Sequence, residues 1–315
     1  MVRRRLVSIP AVVIAFWFVC ATLPFLVVLA LFIDLVRGGK TFSTTRLTGF
    51  LFTENLGLLL LFWTWLSTPQ NSRARAARTF AIQRLYSGWL LRSVTAMFSL
   101  KFVVKGAELV MPGPVLVFVR HASLVDVLVP SGFIANVHHL ELRYVLKREL
   151  LVEPCLDVAG HWIPNHFVDR GGKDTNGQLA AIASLKTGLG PGEGVIIYPE
   201  GTRFSRRKRE AMLGKLEGPA RTRAEKLRHL LPIRPGGAMT LLAAQPACDV
   251  LFVGHHGLEG LTKIEDIWRG SLVGRTVTIQ FWRQPADHVP QDEEARLQWV
   301  NERWQLIDDW LEELE

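Results

Sequence analysis

Long apolar runs dominate the first third of the chain, and short charged breaks divide them. From Leu6 to Ile33 there is no charged residue, a stretch long enough to span ~30 Å of hydrocarbon even with tilt. Arg3, Arg4 and Arg5 before it would also suit a signal peptide. The run is too long for a typical signal core and no clear small-residue cleavage site follows, so the pattern predicts a retained transmembrane helix. A second apolar stretch, Phe50 to Leu66, carries Glu54 and Asn55 near one end; it crosses fully, re-enters, or lies at the interface. Between Gln70 and Leu100 arginines interleave with Phe80, Leu85, Trp89 and Leu90, which predicts one or two amphipathic helices. Such a segment packs on its own domain or lies with its arginines at anionic headgroups, and its place directly after a membrane stretch favours the second.

Beyond residue 100 the pattern changes to short β-branched runs alternating with helical ones. Strands are predicted in the first half of Pro114 to Pro130, and at Tyr144 to Leu146, Val195 to Tyr198, Val250 to Gly254 and Thr276 to Trp282. Helices are predicted at Gly177 to Leu189 and Arg221 to Leu230. A last one, at Asp292 to Leu314, has Leu297, Val300, Trp304, Ile307, Leu311 and Leu314 on one face, packed on the domain. This alternation predicts an α/β fold, a mixed, mostly parallel sheet flanked by helices, preceded by an N-terminal transmembrane helical hairpin. The organisation expected is a membrane-anchoring segment over 1–69, amphipathic interfacial helices over 70–100 and a cytoplasmic domain over 101–315.

Charge adds a partner class and an orientation. The 315 residues carry a net charge of +8 with a pI near 9.7, which favours an anionic partner: phospholipid, nucleotide phosphate or nucleic acid. Arg3, Arg4 and Arg5 precede the first apolar run and Arg73, Arg75, Arg78 and Arg84 follow the second, against Arg37, Lys40 and Arg46 between them. The positive-inside rule then predicts an integral membrane protein whose larger domain lies at the cytoplasmic face. Cys20, Cys155 and Cys248 have no metal or redox spacing and read as reduced thiols. The adjacent pairs His138, His139 and His255, His256 diverge, and no His-Glu-x-x-His spacing occurs, so no metal site is expected.

The candidate chemistry begins where the first of these strands ends, at Arg120 and His121. Ser123 stands where a helix N-cap would, with Leu124, Val127 and Leu128 at helical spacing behind it. His121 and Asp126 would point apart on one regular helix, so they meet only if His121 lies in the turn and Asp126 in the first helical turn. The carboxylate would then fix the imidazole tautomer and leave the other ring nitrogen to take a proton. On these residues alone an ordinary surface or capping contact is the commoner outcome. Pro199 to Arg203 offers an anion site: Gly201 permits close backbone approach, Thr202 donates, and Arg203 presents a planar fork. Gly190 to Gly194 precedes a strand and lacks the Gly-Lys-Ser/Thr ending, so it is a turn rather than a phosphate loop. The Arg206 to Arg209 run is a solvated face, a contact for bilayer headgroups, or one for the phosphates of a ligand.

Four stretches taken in order resemble the motifs of the glycerolipid acyltransferases, the family that includes the lysophosphatidic acid acyltransferases. His121-Ala-Ser-Leu-Val-Asp126 is similar to the His-x4-Asp signature. Lys147-Arg-Glu-Leu150, with Pro154 and Gly160, leading to Phe167-Val-Asp-Arg170, is similar to the second motif. Tyr198-Pro-Glu-Gly-Thr-Arg203 is similar to the third, and Leu231-Pro-Ile-Arg-Pro235 to the fourth. The likeness covers roughly Phe102 to Ile233. It departs before the His, where the family usually has Asn and this chain has Arg120. The Phe-Ser-Arg-Arg-Lys-Arg run after Arg203 resembles the lysocardiolipin acyltransferase branch.

The resemblance implies transfer of a fatty acyl group, without a covalent acyl-enzyme, from acyl-CoA or acyl carrier protein to the free hydroxyl of a lysophospholipid. The first acceptor to consider is 1-acyl-sn-glycerol-3-phosphate, which would give phosphatidic acid. His121 and Asp126 would be catalytic, and Lys147, Arg170, Glu200, Gly201, Thr202 and Arg203 would bind substrate. Backbone amides around residues 121 to 124, with the third-motif turn, would hold the oxyanion. No cofactor is expected beyond the thioester co-substrate, and the partners would be the membrane, the lysophospholipid and the acyl carrier, not nucleic acid. Other readings stay open: another lysophospholipid acyltransferase or remodelling transacylase, a lipid hydrolase using the same pair, or a polybasic protein that binds membranes or nucleic acid without catalysis.

Overall fold

In the computed structural model, residues 2–39, 42–69, 72–152, 154–169, 171 and 174–315 are described. In chain order the helices are α1 (Val2–Val36), α2 (Ser43–Ser67), α3 (Arg73–Phe98), α4 (Leu128–Pro130, continued by a π-helical turn, Ser131–Asn136), α5 (Pro154–Ala159) and α6 (Thr175–Ser184). They continue as α7 (Arg206–Leu213), α8 (Gly218–Lys226), α9 (Pro235–Ala243), α10 (Ile264–Trp268) and α11 (Glu293–Glu312). The strands are β1 (Lys101–Lys105), β2 (Val115–Val119), β3 (Glu141–Lys147), β4 (His166–Val168), β5 (Glu193–Ile197), β6 (Asp249–His256) and β7 (Thr276–Gln284).

The chain folds as two units. One is helical and comprises Met1–Lys101, Lys147–Asn165 and Lys263–Arg275. Within it α1 packs on α2 and α2 on α3. Asp34 near the end of α1 accepts from the amides of Thr44 and Thr45, at 2.9 and 2.8 Å, and so satisfies donors that the start of α2 leaves free. The predicted amphipathic segment is a single helix, α3, with Ser72 accepting at its N-terminus from the Arg75 amide. Arg75 does not face solvent: it is buried, its Nε donates to Thr68 Oγ1 at 3.1 Å, and its guanidinium lies 5.1 Å from the Trp162 ring centroid. At least this arginine of the expected headgroup-facing set is therefore used inside the protein. The transmembrane hairpin was expected where α1 and α2 now stand as packed helices. Among the described residues no helix is long and apolar enough to cross a membrane, and the side chains of Glu54 and Asn55 lie outside them. Large apolar side chains of α1, among them Leu6, Trp17, Phe18, Phe25 and Phe32, are exposed.

The other unit comprises Phe102–Leu146, His166–Thr262 and Thr276–Glu315 and holds the sheet, whose strand order is β1-β7-β6-β2-β5-β3-β4. β6, β2, β5 and β3 run parallel, and β7 is antiparallel to β6. All five residues of β2 are buried, as expected of a central strand covered on both faces, and this is why its sequence is continuously apolar rather than alternating. α11 covers the sheet as predicted. Trp299, Val300, Trp304, Ile307 and Leu311 are buried in one core with Phe118 and Phe252, each contributing roughly 1.5–3 kcal/mol by burial. Two predicted helices are shorter than expected. α6 stops at Ser184, and α8 at Lys226, because the amides of Arg228, His229 and Leu230 donate to Asp308 of α11 rather than to a preceding helical turn.

Candidate active site

β2 and β5 are parallel neighbours, so the segments that leave their C-terminal ends start side by side. β2 delivers Arg120 and His121, and β5 delivers Tyr198 to Arg203. The His121 amide donates to Glu200 Oε1 at 2.7 Å, and the Phe204 amide donates back to the His121 carbonyl at 2.7 Å. The Tyr198 ring lies 4.7 Å from the imidazole, centroid to centroid. The first and third motifs are thus bonded through main chain on both sides of His121.

The dyad geometry follows from how the turn after His121 is tied. Asp126 Oδ2 accepts from His121 Nδ1 at 3.0 Å, from the Ala122 amide at 2.8 Å and from the Ser123 amide at 2.9 Å. An ionised carboxylate only accepts, so Nδ1 carries the ring proton and Nε2 keeps its lone pair. The Asp126 carboxylate is wholly buried, while the His121 side chain is 15% exposed, and Nε2 has no hydrogen bond among the described residues. The predicted helical start differs by a few residues. Ser123 Oγ accepts from Val125 N in a local turn and α4 begins only at Leu128, because Asp126 folds back onto the amides before it instead of standing in a helix.

Glu200 is wholly buried. Its oxygens accept from His121 N and from Leu231 N, at 2.7 and 3.0 Å. Burial pushes its pKa up to about 8, against the two amide donors and the Arg120 charge. It was expected at the substrate; the structure instead uses it to join the first, third and fourth motifs. The Arg234 amide, donating to the Pro199 carbonyl at 2.9 Å, makes a second such join. α11 supports this segment from behind, where Trp304 Nε1 donates to the Leu231 carbonyl at 3.1 Å.

Gly201 has φ +68, the left-handed region that favours glycine, and its amide closes the turn on the Tyr198 carbonyl at 2.9 Å. Arg203 follows that turn, partly exposed, with Nη1 donating to the Thr262 carbonyl at 3.0 Å. Lys208, from the run that could have been only a solvated face, donates from Nζ to Thr202 Oγ1 and to the Arg203 carbonyl, both at 3.0 Å. Burial, with the neighbouring Arg203 charge, lowers its pKa. Lys147 is the last residue of β3 and belongs to the helical unit. Arg170 lies outside the described residues.

The amides expected to hold an oxyanion are already engaged: His121 with Glu200, Ala122 and Ser123 with Asp126, and Leu124 with the Leu261 carbonyl at 2.9 Å. The expectation for residues 121 to 124 is therefore corrected, because the bonds that shape the turn consume its donors. Among the described residues no group of three or more His, Cys, Asp or Glu could hold a metal ion.

Residues that local pattern did not single out complete the surroundings. His255 and Glu259, at and after the end of β6, contact Arg120, and the segment through Leu261 and Thr262 accepts from Leu124 and Arg203. Their only local signal is a His-His pair ending an apolar strand, which says nothing about where that strand pairs.

An acyltransferase family profile matches residues 101–253. No curated protein matches the chain significantly. Among solved structures it is similar to the 1-acyl-sn-glycerophosphate (LPA) acyltransferase PlsC from Thermotoga maritima, at 18% sequence identity and a TM-score of 0.57, covering 87% of this chain and 97% of that one. At that identity the likeness is one of fold. Residues 101–253, just under half of the chain, thus match an acyltransferase domain, and the motifs and the fold agree with that match.

Proposed function

We propose that the protein acylates the free hydroxyl of a lysophospholipid, with 1-acyl-sn-glycerol-3-phosphate as acceptor and an acyl-CoA or acyl carrier protein thioester as donor. The observation that carries this reading is the 3.0 Å contact between His121 Nδ1 and Asp126 Oδ2, which leaves Nε2 as the one ring nitrogen able to accept a proton. Nε2 takes the acceptor's hydroxyl proton as that oxygen bonds to the thioester carbonyl carbon. Asp126 stabilises the imidazolium. Collapse of the tetrahedral intermediate breaks the carbon–sulfur bond, and the departing thiolate recovers the proton from His121. The Thr202 and Arg203 amides, which carry no hydrogen bond among the described residues, are the oxyanion donors in this scheme.

The Arg203 guanidinium binds the acceptor's phosphate, with Arg170 as a further cationic contact. Gly201 and Thr202 shape the turn that presents it. No metal or cofactor takes part. Exposed Trp17, Phe18, Phe25 and Phe32 on α1 support anchoring in a phospholipid membrane, with the catalytic unit at the cytoplasmic face, where a bilayer-borne acceptor is within reach.

The test is acyl transfer by purified protein in detergent, using labelled acyl-CoA with and without lysophosphatidic acid. His121→Ala should abolish transfer while the protein still binds vesicles. Near-normal turnover by that variant would overturn the dyad, and equal thioester consumption without acceptor would indicate hydrolysis.

A further inference from the structure

We propose that His255 is a positioning residue for the dyad, acting through the Asp126 carboxylate and held in place for that role by Arg120 and Glu259. His255 is the penultimate residue of β6, wholly buried, beside the point where β2 releases His121. Its Nε2 lies 3.2 Å from the Arg120 carbonyl and 3.8 Å from Asp126 Oδ2. Both neighbours are acceptors, so Nε2 carries the proton and the ring is the neutral Nε2–H tautomer, with Nδ1 buried and unpartnered among the described residues. The oxygen that orients His121 therefore faces a second imidazole N–H as well as two amides.

The clamp around this ring is reciprocal. The Arg120 amide donates to the Val253 carbonyl at 3.0 Å as the ladder between β2 and β6 ends. Arg120 Nη1 donates to the His255 carbonyl and to Glu259 Oε1, and Nη2 reaches the His229 carbonyl at 3.3 Å. Arg120 is 1% exposed and would be a buried unpaired cation without Glu259. The position that departs from the family pattern is thus matched by an acid 139 residues later. Burial opposes ionisation of Glu259, but the Arg120 charge outweighs it and holds its pKa at about 2. Burial also pushes His255 down to about 4, so it stays neutral while His121 cycles its proton. The charged groups facing His255 are Asp126, Arg120 and Glu259, and buried Glu200 and Tyr198 lie in the same electrostatic neighbourhood of Asp126.

The His255 N–H, bonded to the Arg120 carbonyl with Asp126 Oδ2 3.8 Å away, turns its positive end toward that carboxylate and lessens the pull that Asp126 exerts on the His121 proton. Replacing it by an apolar group should make the imidazolium more stable, so His121 would lose its proton at higher pH. The inference rests on the acyltransferase reading, so wild-type and His121→Ala transfer is measured first; if the wild type moves no acyl group, that reading falls by itself. With transfer established, His255→Leu should move the acid limb of the kcat–pH profile up by about half a unit or more and lower the plateau roughly tenfold, with acceptor KM within about twofold. His255→Gln, which keeps an N–H near the same place, should restore both.

An unmoved acid limb in His255→Leu, or a Gln variant no better than Leu, would overturn the proposal. Should both variants fail to fold, the wild-type full chain labelled at histidine nitrogens decides it. His255 should remain a neutral Nε2–H imidazole from pH 7 to about 5. An Nδ1–H tautomer or an imidazolium at pH 6 would refute the claim whatever the acyl-transfer assay shows.

Discussion

His121 and Glu200 are 79 residues apart in the chain, yet the amide of one donates to the carboxylate of the other at 2.7 Å. His121 is therefore located by its own main chain, and the acid that locates it also takes the Leu231 amide. Activity should depend on a side chain that touches no substrate.

Glu200→Gln tests that dependence. A carboxyl oxygen, ionised or protonated, can accept from each amide, whereas the NH2 of glutamine has no lone pair to offer. One buried amide would be left unpaired at a cost of about 1–3 kcal/mol. Melting temperature should fall by several degrees and kcat by tenfold or more, measured by calorimetry and acyl-transfer assay. Unchanged values in both would show that this carboxyl does not set the geometry.

Asp126→Asn should keep the fold and lose the chemistry. An amide in place of Oδ2 either faces Nδ1–H and two backbone N–H groups with its own hydrogens or turns its single oxygen to them, and the charge that balances the imidazolium is gone. We expect kcat to drop by at least about a hundredfold with little change in acceptor KM. A loss of less than threefold would mean that His121 works without this partner.

Arg203→Ala addresses the proposed phosphate contact. Its KM for a phosphorylated acceptor should rise tenfold or more, while transfer to an acceptor without a terminal phosphate monoester should change little. Equal losses with both acceptors would instead assign Arg203 to holding the segment at Thr262, to which its guanidinium already donates.

Two buried groups give opposite pH dependences of stability. His255 is held at about 4 against a usual 6.5, so between these values the unfolded chain binds more protons and stability falls as pH falls. Glu200 is raised to about 8 from 4.5, so in that window the folded chain binds more protons and stability falls as pH rises. From pH 6.5 to 8 only the second slope of this pair operates. Urea denaturation across that range should show wild-type stability declining and Glu200→Gln flatter; parallel curves would place the titration elsewhere. Between about pH 4.5 and 6.5 the two slopes oppose each other, so His255→Gln should there unmask the Glu200 slope and lose stability as pH rises.

Sequence by itself determined the central strands of the sheet and the last helix. The apolar run of β2 is buried at every position, and Val300, Trp304, Ile307 and Leu311 of the predicted helical stripe lie in the core with Leu297 packed against it, because periodicity records which faces avoid water. His121 and Asp126 were also legible, since a turn can bring residues five apart into contact. Tertiary structure alone decided what Glu200, Arg120, His255 and Glu259 do, and that the amides of residues 121 to 124 are already engaged. These bonds join strands that are neighbours in the sheet but distant in the chain, and no local pattern encodes which carboxylate will be buried beneath which amide. The reason is physical: propensity and amphipathicity act over a few residues, whereas the partner of a buried charge is set by strand order.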